Sequence, residues 1–250
     1  MAAATPAIPY CGPPPSPDLA WASWNFDPVI VGPLVLCAVL LVIPTLPLSR
    51  RQRGLGTLAL LALAVAFVSP LCAVSSALFA ARTLHHVLLI SVAAPLIALV
   101  LRRPVRMGLM AVLSATLLQA VVLWLWHAPA LYGAALSSDA VYGLMEVTLL
   151  ASATLFWLAV RGASAPNAAF ALVLTMVQMG VLGALLVFAG SALYPPHALT
   201  TATWGLSPLE DQQLAGLIMW APTAGVYLAT ALVIVGRWLG PDAKPRELTA

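Results

Sequence analysis

Three ionisable side chains stand at helical spacing within an otherwise apolar stretch of the sequence. Arg82, His85 and His86 occupy positions i, i+3 and i+4, which share one face of an α-helix. Neutral imidazole is a ligand for copper, zinc and iron, and thioether or thiolate ligands shift the preference towards Cu(I). This polar stripe therefore indicates either a metal-binding face or a face that hydrogen-bonds to neighbouring helices.

Residues of similar chemistry occur in other apolar segments. His127 ends one such segment, and Asp211 and Met219 share a helix face in another. The candidate metal ligands are therefore His86, His127, His85, Met219 and Asp211. The alternative, in which the histidines serve only as hydrogen-bonding side chains between helices, stays open.

Glu146 is the expected partner of Arg82. Both lie in apolar segments at similar depth, and neither charge could be buried alone, so we predict an Arg82–Glu146 ion pair, with Asp211 as the alternative acidic partner. By contrast, His197 is expected to be a solvated loop residue. Cys37 and Cys72 are expected to pack as small apolar side chains, with soft-metal binding as the alternative. Three cysteines, an odd number without repeated spacing, predict no disulfide framework.

The composition places these residues in a membrane. The chain has 250 residues, of which 62% are hydrophobic and 8% charged, and its mean hydropathy is +1.00. Soluble domains are about 25% charged. So few charges could not cover a water-exposed surface, which excludes a nucleic-acid-binding protein despite a pI of about 9.0.

The chemistry-bearing residues must be positioned by membrane-spanning helices. A helix needs roughly 20 apolar residues to cross a bilayer. Seven segments meet this requirement, near Val29–Leu48, Leu55–Ser75, Ala77–Leu101, Met107–Trp126, Val141–Val160, Ala168–Gly190 and Gln212–Trp238. The sequence therefore predicts an all-α integral membrane protein, a bundle of seven transmembrane helices. A Pro-rich segment, residues 1–28, precedes the membrane domain of residues 29–240, and a tail of residues 241–250 follows it.

The basic residues predict the orientation. Ten of the 11 lie on one side of the predicted membrane, namely Arg50, Arg51, Arg53, Arg102, Arg103, Arg106, Arg161, Arg237, Lys244 and Arg246. The positive-inside rule makes that side the cytoplasm, with an extracytoplasmic N-terminus and a cytoplasmic C-terminus. The eleventh, Arg82, falls in the outer half of the membrane, as do Glu146 and all four histidines. A polar site that opens to the extracytoplasmic side is the strongest functional prediction.

Other classes of membrane protein fit these residues less well. A small-solute or proton-coupled transporter is the alternative, because Arg82 and Glu146 are ionisable residues at membrane depth. The sequence has no evident inverted repeat and no polar path through the inner halves of the spans. A membrane cytochrome is disfavoured because the two intramembrane histidines are adjacent on one helix. An enzyme is not expected, and we predict no catalytic residue, because no Ser or Cys stands beside a histidine at helical spacing.

Several strings of the sequence are distinctive together. They include Arg82-Thr-Leu-His85-His86, Trp124-Leu-Trp126-His127-Ala-Pro129 and Asp211-Gln212-Gln213-Leu-Ala-Gly216-Leu-Ile-Met219-Trp220. From Trp24 to Trp238 the chain resembles the CtaG-type cytochrome c oxidase assembly factors, a seven-span membrane family. The resemblance implies a role in making active haem–copper oxidase in a bacterial plasma (inner) membrane. It also implies copper as a cargo delivered from the extracytoplasmic side, with oxidase subunits and a periplasmic copper chaperone as partners besides membrane lipid.

The sequence departs from the family pattern in its histidines. That pattern has one histidine pair at the positions of Arg82 and His86 and a second at those of Tyr142 and Glu146. Of these four positions only His86 retains the imidazole, and His85 stands where Gln is usual. An Arg–Glu pair could replace a histidine pair structurally without binding metal. The candidate ligands that match the family pattern are His86, His127, Asp211 and Met219.

Overall fold

A computed structural model describes residues 8–101 and 105–240, and this part of the chain is helical, without any β-strand. Its α-helices are α1 (Pro17–Ala20), α2 (Pro28–Val42), α3 (Arg50–Phe67), α4 (Pro70–Ala77), α5 (Phe79–Leu88), α6 (Ala94–Val100), α7 (Leu109–His127), α8 (Pro129–Ser137), α9 (Asp139–Gly162), α10 (Ala165–Phe188) and α11 (Pro208–Leu239). A π-helical turn, Leu89–Ala93, joins α5 to α6. The all-α prediction is confirmed for these residues. The predicted tail 241–250 lies outside them, as do Arg102, Arg103, Lys244 and Arg246.

Several helices are long and apolar enough to cross a membrane. Within the described ranges there are five, namely Phe79–Val100 (α5 to α6), α7, α9, α10 and α11. Helices α3 and α4 pass the same test together but are bent by 41° at their junction, which gives up to six. Helix α2 has 15 residues and is shorter than a full span. The chain is therefore a multi-pass membrane protein, while the seven-span count and the orientation of the termini stay predictions.

The bend between α3 and α4 follows from the local sequence. The hydroxyl of Ser69 accepts a hydrogen bond from the backbone N–H of Leu71, and Pro70 occupies the first position of α4. Proline suits the first turn of a helix but cannot donate the backbone hydrogen bond that would continue α3. The predicted second span, Leu55–Ser75, is therefore two helices with a break at Ser69.

Helices α10 and α11 approach each other closely at two glycines. A Cβ atom built on Gly183 would lie 2.8 Å from the carbonyl oxygen of Gly216, and one on Gly216 would lie 2.6 Å from that of Gly183. Only glycine at both positions permits this contact, as in other membrane helix pairs with small residues at their interface.

One end of the bundle, here the polar end, is covered by the N-terminal segment, residues 8–27. The Tyr10 hydroxyl donates to the Asp27 carboxylate at 2.8 Å, and the Trp204 indole N–H donates to the carbonyl of Pro15 at 3.2 Å. A disulfide joins Cys11 of this segment to Cys72 of α4. The prediction of no disulfide is therefore wrong: the two residues are 61 positions apart, and only the folding of the segment onto α4 brings them together.

The opposite end carries arginines that cap helix C-termini. The guanidinium of Arg53 donates to the carbonyls of Leu41, Ile43 and Leu46 beyond and within the last turn of α2. The guanidinium of Arg161 donates in the same way to carbonyls that end α6. Because the last carbonyls of a helix lack intrahelical partners, these arginines stabilise helix ends as well as marking one side of the membrane.

Candidate functional site

A buried ion pair lies near the polar end, between α5 and α9. The Arg82 Nη1 atom is 3.3 Å from the Glu146 Oε1 atom, and the two side chains are only 1% and 5% exposed. The Arg82 guanidinium also lies over the ring of Tyr142, with its Cζ atom 5.0 Å from the ring centroid. The structure thus brings together the two charges whose pairing the sequence predicts, and each compensates the burial of the other.

Both histidines of α5 approach the same carboxylate. The Nε2 atom of His85 lies 3.3 Å from the Glu146 Oε2 atom, and that of His86 lies 3.5 Å from the Oε1 atom. Both imidazoles are buried, at 0% and 1% exposure. Helical spacing on α5 therefore directs Arg82, His85 and His86 towards one acidic group on α9. Arg82, His85, His86, Glu146 and His127 together form what is here termed the ionisable cluster.

His127 adds an imidazole from the end of α7. Its Nδ1 atom lies 2.8 Å from the carbonyl oxygen of Leu123, an acceptor, so Nδ1 carries the proton and donates. The Nε2 atom is then an unprotonated acceptor, and it is buried without a hydrogen-bond partner. The ring centroid of His127 lies 5.5 Å from that of His86. A backbone carbonyl that fixes one ring nitrogen and leaves the other free is the usual second-shell arrangement of a metal-binding histidine.

Asp211 forms different contacts from those expected of a metal ligand. Its two carboxylate oxygens accept hydrogen bonds from the backbone N–H groups of Phe79, at 2.7 Å, and Ala80, at 3.0 Å. These amides begin α5, whose N-cap residue, Leu78, has no side-chain oxygen to cap them. Asp211 of α11 therefore caps the N-terminus of α5 and fixes the start of the helix that carries Arg82, His85 and His86.

Asp211, one of the five candidate ligands, is already engaged with backbone amides. Met219 is buried on α11, which packs against α5, while Asp211 holds a helix terminus. Over residues 8–101 and 105–240, no group of three or more His, Cys, Asp or Glu side chains has an arrangement that could hold a metal ion. What the geometry offers instead is a pair of buried imidazoles, His86 and His127, beside Glu146.

His197 is placed differently from the prediction. The solvated-loop expectation is wrong, because the side chain is 2% exposed and its Nε2 atom lies 2.6 Å from the hydroxyl of Tyr132. Burial lowers the pKa of His197 to about 4, and the charge of Arg82 acts in the same direction. The loop between α10 and α11 folds into the polar end, and Tyr194 of this loop donates to the carbonyl of His127 at 2.7 Å. A proline-rich loop carries no periodicity from which this burial could have been foreseen.

The sequence also missed polar residues deeper in the bundle. The amide of Gln119 on α7 donates to the hydroxyl of Tyr227 on α11 at 3.2 Å, and both side chains are buried. The indole N–H of Trp157 on α9 donates to the carbonyl of Ile90 in the π-helical turn at 2.9 Å. These contacts tie four helical segments together below the ionisable cluster. Single polar residues inside apolar segments were the available signal for Gln119 and Tyr227.

A lateral pocket leads from the surface of the bundle to the ionisable cluster. It has a volume of about 350 Å³, lies between α2, α3 and α9, and reaches Glu146 and Tyr142. Its walls are mostly apolar, and Tyr10 of the N-terminal segment lines it at the polar end. The cluster is thus buried from water but lies close to a groove on the membrane-facing surface.

The fold and the site define the class of protein: a multi-pass helical membrane protein with a compact ionisable cluster near one end. In sequence comparison, residues 98–240 match the cytochrome c oxidase caa3 assembly factor family, and the chain belongs to that family. The resemblance seen in the sequence is thereby confirmed. No significant match to a curated protein or to a solved structure was found.

The matched region covers only part of the ionisable cluster. It includes His127 and Glu146, together with Asp211 and Met219, and it begins after α5. Arg82, His85 and His86 of α5 therefore lie outside the matched region, and their place in the cluster rests on the contacts in this structure.

Proposed function

We propose that this protein assists the assembly of a haem–copper cytochrome c oxidase by holding Cu(I) between His86 and His127 and passing it to an oxidase subunit. The observation that carries the proposal is the buried, unpartnered Nε2 atom of His127, whose ring lies 5.5 Å from that of His86. An unpartnered buried polar atom is unfavourable in a folded protein unless it serves a ligand or a catalytic role. Membership of a cytochrome c oxidase assembly family supports the assembly role, and copper is the cargo that we propose for it.

The chemistry of the pair favours copper as a transient cargo. Imidazole is a good ligand for copper, and Cu(I) accepts as few as two ligands, so two histidines suffice for it. A small ligand set also leaves the ion free to be taken over by a recipient with more donors. Met219 is the candidate for a third, thioether ligand, because α11 packs against α5.

Arg82 and Glu146 have a positioning role in this proposal. The carboxylate lies within 3.3–3.5 Å of the Nε2 atoms of both α5 histidines. The guanidinium balances the carboxylate, so the cluster without metal stays close to neutral, and the arriving ion adds the only uncompensated charge. The pair substitutes for ligands of the family pattern and orients those that remain.

We further propose that the polar end faces the extracytoplasmic side of a bacterial plasma membrane. Two observations support this orientation. Arginines lie at the opposite end, as expected for a cytoplasmic face, and the Cys11–Cys72 disulfide belongs to an oxidising compartment. A seven-span topology would result if α2 and the bent α3–α4 pair each cross the membrane. A periplasmic copper chaperone would then deliver the cargo, and an oxidase subunit would receive it.

Copper loading of the detergent-purified chain tests the proposal. The protein is loaded with Cu(I) without oxygen in its disulfide-bonded form, and bound copper is counted per chain. We expect one copper, which His86→Ala and His127→Gln each remove. The matched control is His197→Gln, a buried histidine outside the cluster, which keeps its copper. Equal copper in all four proteins would exclude the histidine pair as the site.

A cellular experiment tests the assembly role separately. Deletion of the gene at limiting copper should lower oxidase activity and the copper content of the oxidase, with its transcript unchanged. Complementation with the wild-type gene should restore both, and complementation with His127→Gln should not. Unchanged oxidase activity in the deletion strain at limiting copper would contradict the proposal.

A further inference from the structure

The Cys11–Cys72 disulfide lies in polar surroundings. The Cys11 Sγ atom is 3.4 Å from the hydroxyl of Tyr142, and since a disulfide sulfur carries no proton, Tyr142 is the donor. The side-chain amide of Asn25 donates to the Cys72 Sγ atom at 3.6 Å, and the hydroxyl of Ser75 lies 3.9 Å from the Cys11 Sγ atom. The Ser75 hydroxyl donates its one proton to the carbonyl of Cys72 at 2.6 Å, so the donors directed at the two sulfur atoms are Tyr142 and Asn25.

These donors match a reduced pair better than an oxidised one. A disulfide sulfur is neutral and a weak acceptor, so it gains little from hydrogen bonds. A thiolate gains much more, because hydrogen bonds to the charged form of a group stabilise that form. The Arg82 guanidinium lies over the Tyr142 ring, but Glu146 balances its charge, so the hydrogen bonds from Tyr142 and Asn25 are what would stabilise a thiolate here.

The two sulfur atoms are also placed to share one ligand. The Cα atoms of Cys11 and Cys72 are 5.2 Å apart, and Cys11 is 6% exposed while Cys72 is fully buried. The pair lies one side chain away from the ionisable cluster, because Tyr142 contacts Cys11 through its hydroxyl and Arg82 through its ring. An ion held by the thiols would therefore lie next to the histidine pair.

We propose that Cys11 and Cys72 form a redox-controlled site for a soft monovalent cation, which binds Cu(I) as a dithiolate when the disulfide is reduced. The choice of copper as the ion rests on the proposed function, whereas thiolate coordination of a soft ion follows from the chemistry of the pair. In the oxidised chain the sulfur atoms are bonded to each other and cannot coordinate. The site therefore exists in one redox state only.

Reduction requires an external dithiol of the thiol–disulfide oxidoreductase class. Its thiolate attacks one sulfur of the pair, a mixed disulfide forms, and the other sulfur leaves as a thiolate. The second thiol of the reductant then attacks the mixed disulfide. The products are two cysteine thiols and the oxidised reductant, with two electrons and two protons transferred. Binding of one Cu(I) by both cysteines releases those two protons.

The test compares the oxidised and reduced forms of the full chain in detergent. One sample keeps its disulfide, and the other is reduced with a phosphine that is then removed without oxygen. Both are titrated with Cu(I) against a Cu(I)-specific chelator, and the thiolate-to-copper charge-transfer absorption is recorded in the ultraviolet. We expect one more copper per chain in the reduced form, accompanied by that absorption.

Cys37 provides the matched control. It is a free, exposed cysteine on α2, outside the pair, and is unaffected by reduction of the disulfide. Cys37→Ser should keep the additional copper of the reduced form, whereas Cys72→Ser and Cys11→Ser should lose it. If Cys11→Ser or Cys72→Ser does not fold, the copper content of the oxidised and reduced wild-type protein still tests the proposal, because that comparison needs no substitution.

The outcomes separate this proposal from the proposed function. His127→Gln should remove the copper of the oxidised form and leave the thiol-dependent copper in place. Absence of copper from the oxidised wild-type chain contradicts only the histidine site, and absence of the additional copper from the reduced wild-type chain contradicts only the dithiolate site. Equal copper in both redox forms overturns the inference, and so does additional copper that Cys37→Ser removes. Loss of helical circular dichroism on reduction also overturns it, since the disulfide would then be purely structural.

Discussion

Helices α2 and α5 have opposite relations to the interior of the protein. Helix α2 has no charged residue in its 15 positions, and none of its side chains is buried. Helix α5 carries Arg82, His85 and His86, and seven of its ten residues are buried. In a bilayer the apolar helix can remain in contact with lipid, while the ionisable helix must be enclosed by its neighbours. Burial in this protein therefore follows the need to shield polar groups more closely than it follows hydropathy.

The same contrast divides the bundle. The side that holds α5, α9, α10 and α11 contains the ion pair and the close backbone contact at Gly183 and Gly216. The side that holds α2 and α3 leaves the lateral pocket between them and α9. Substitutions on the first side should thus have large effects on stability, and equivalent substitutions on α2 should have small ones.

The largest effect is expected from removing one charge of the buried pair. Glu146→Ala leaves Arg82 buried without its partner, which should lower the free energy of unfolding in detergent by about 3–5 kcal/mol. Leu36→Ala on α2, at a side chain that is 59% exposed, should change it by less than about 0.5 kcal/mol. Chemical denaturation followed by circular dichroism measures both. The double variant Arg82→Met/Glu146→Leu should recover most of the loss, and equal stability of Glu146→Ala and wild type would remove the contrast.

Overpacking at the α10–α11 contact should have the next largest effect. A Cβ atom on Gly216 would meet the Gly183 carbonyl at 2.6 Å and the Val187 side chain at 2.7 Å. Because part of this contact is backbone, Gly216→Ala should destabilise the protein by about 3 kcal/mol, the upper part of the range for overpacking. Gly32→Ala on α2 is the matched control, since nothing lies within 4 Å of its added Cβ atom. Equal melting temperatures of the two variants would show that the two sides of the bundle are packed alike.

Acidification should weaken the polar end through His197. Since burial lowers the pKa of this histidine to about 4, the unfolded chain binds its proton at a higher pH than the folded chain does. Stability is therefore complete above about pH 6.5 and is lost as the pH falls towards 4, by about 2 kcal/mol at pH 5. His197→Gln should flatten this part of the profile of stability against pH. An unchanged profile in the variant would mean that another group titrates.

The smallest effect is expected at the cap of α5. Asp211→Asn retains one acceptor oxygen but loses the charge that faces the first amides of the helix, so stability should fall by about 1 kcal/mol. Asp18→Asn, at an exposed residue of the short α1, is the control and should be neutral. Hydrogen exchange of the Phe79 and Ala80 amides reports the cap directly. Unchanged exchange at these amides in Asp211→Asn would show that the cap is not what orders this end of α5.

Local patterns in the sequence predicted the helices and the ion pair, because both depend on periodicity and on the high free energy of an isolated buried charge. Arg82 needed an acidic partner, and Glu146 was available at similar depth. The burial of His197 and the bond between Cys11 and Cys72 could not be predicted in this way. Both depend on how irregular segments fold back over the polar end, and these segments have no helical period to read.

The role of Asp211 could not be predicted from the sequence either. Its residue type suggested a ligand, but its partners are backbone amides of a helix 131 and 132 residues away in the chain. Backbone amides carry no sequence signal. Only the packing of α11 beside the start of α5 makes the cap possible, and the absence of a capping side chain at Leu78 was the one available hint.

The glycine contact between α10 and α11 has a consequence for motion. Two helices whose backbones touch at Gly183 and Gly216 cannot slide past each other without separating, so they should move as a single rigid body. Helix α2 has no buried side chain, and hydrogen bonds from Arg53 to carbonyls at its C-terminal end tie that end to α3. Widening of the lateral pocket beside the ionisable cluster should therefore involve the N-terminal part of α2, which lines it, with α10 and α11 as the fixed frame.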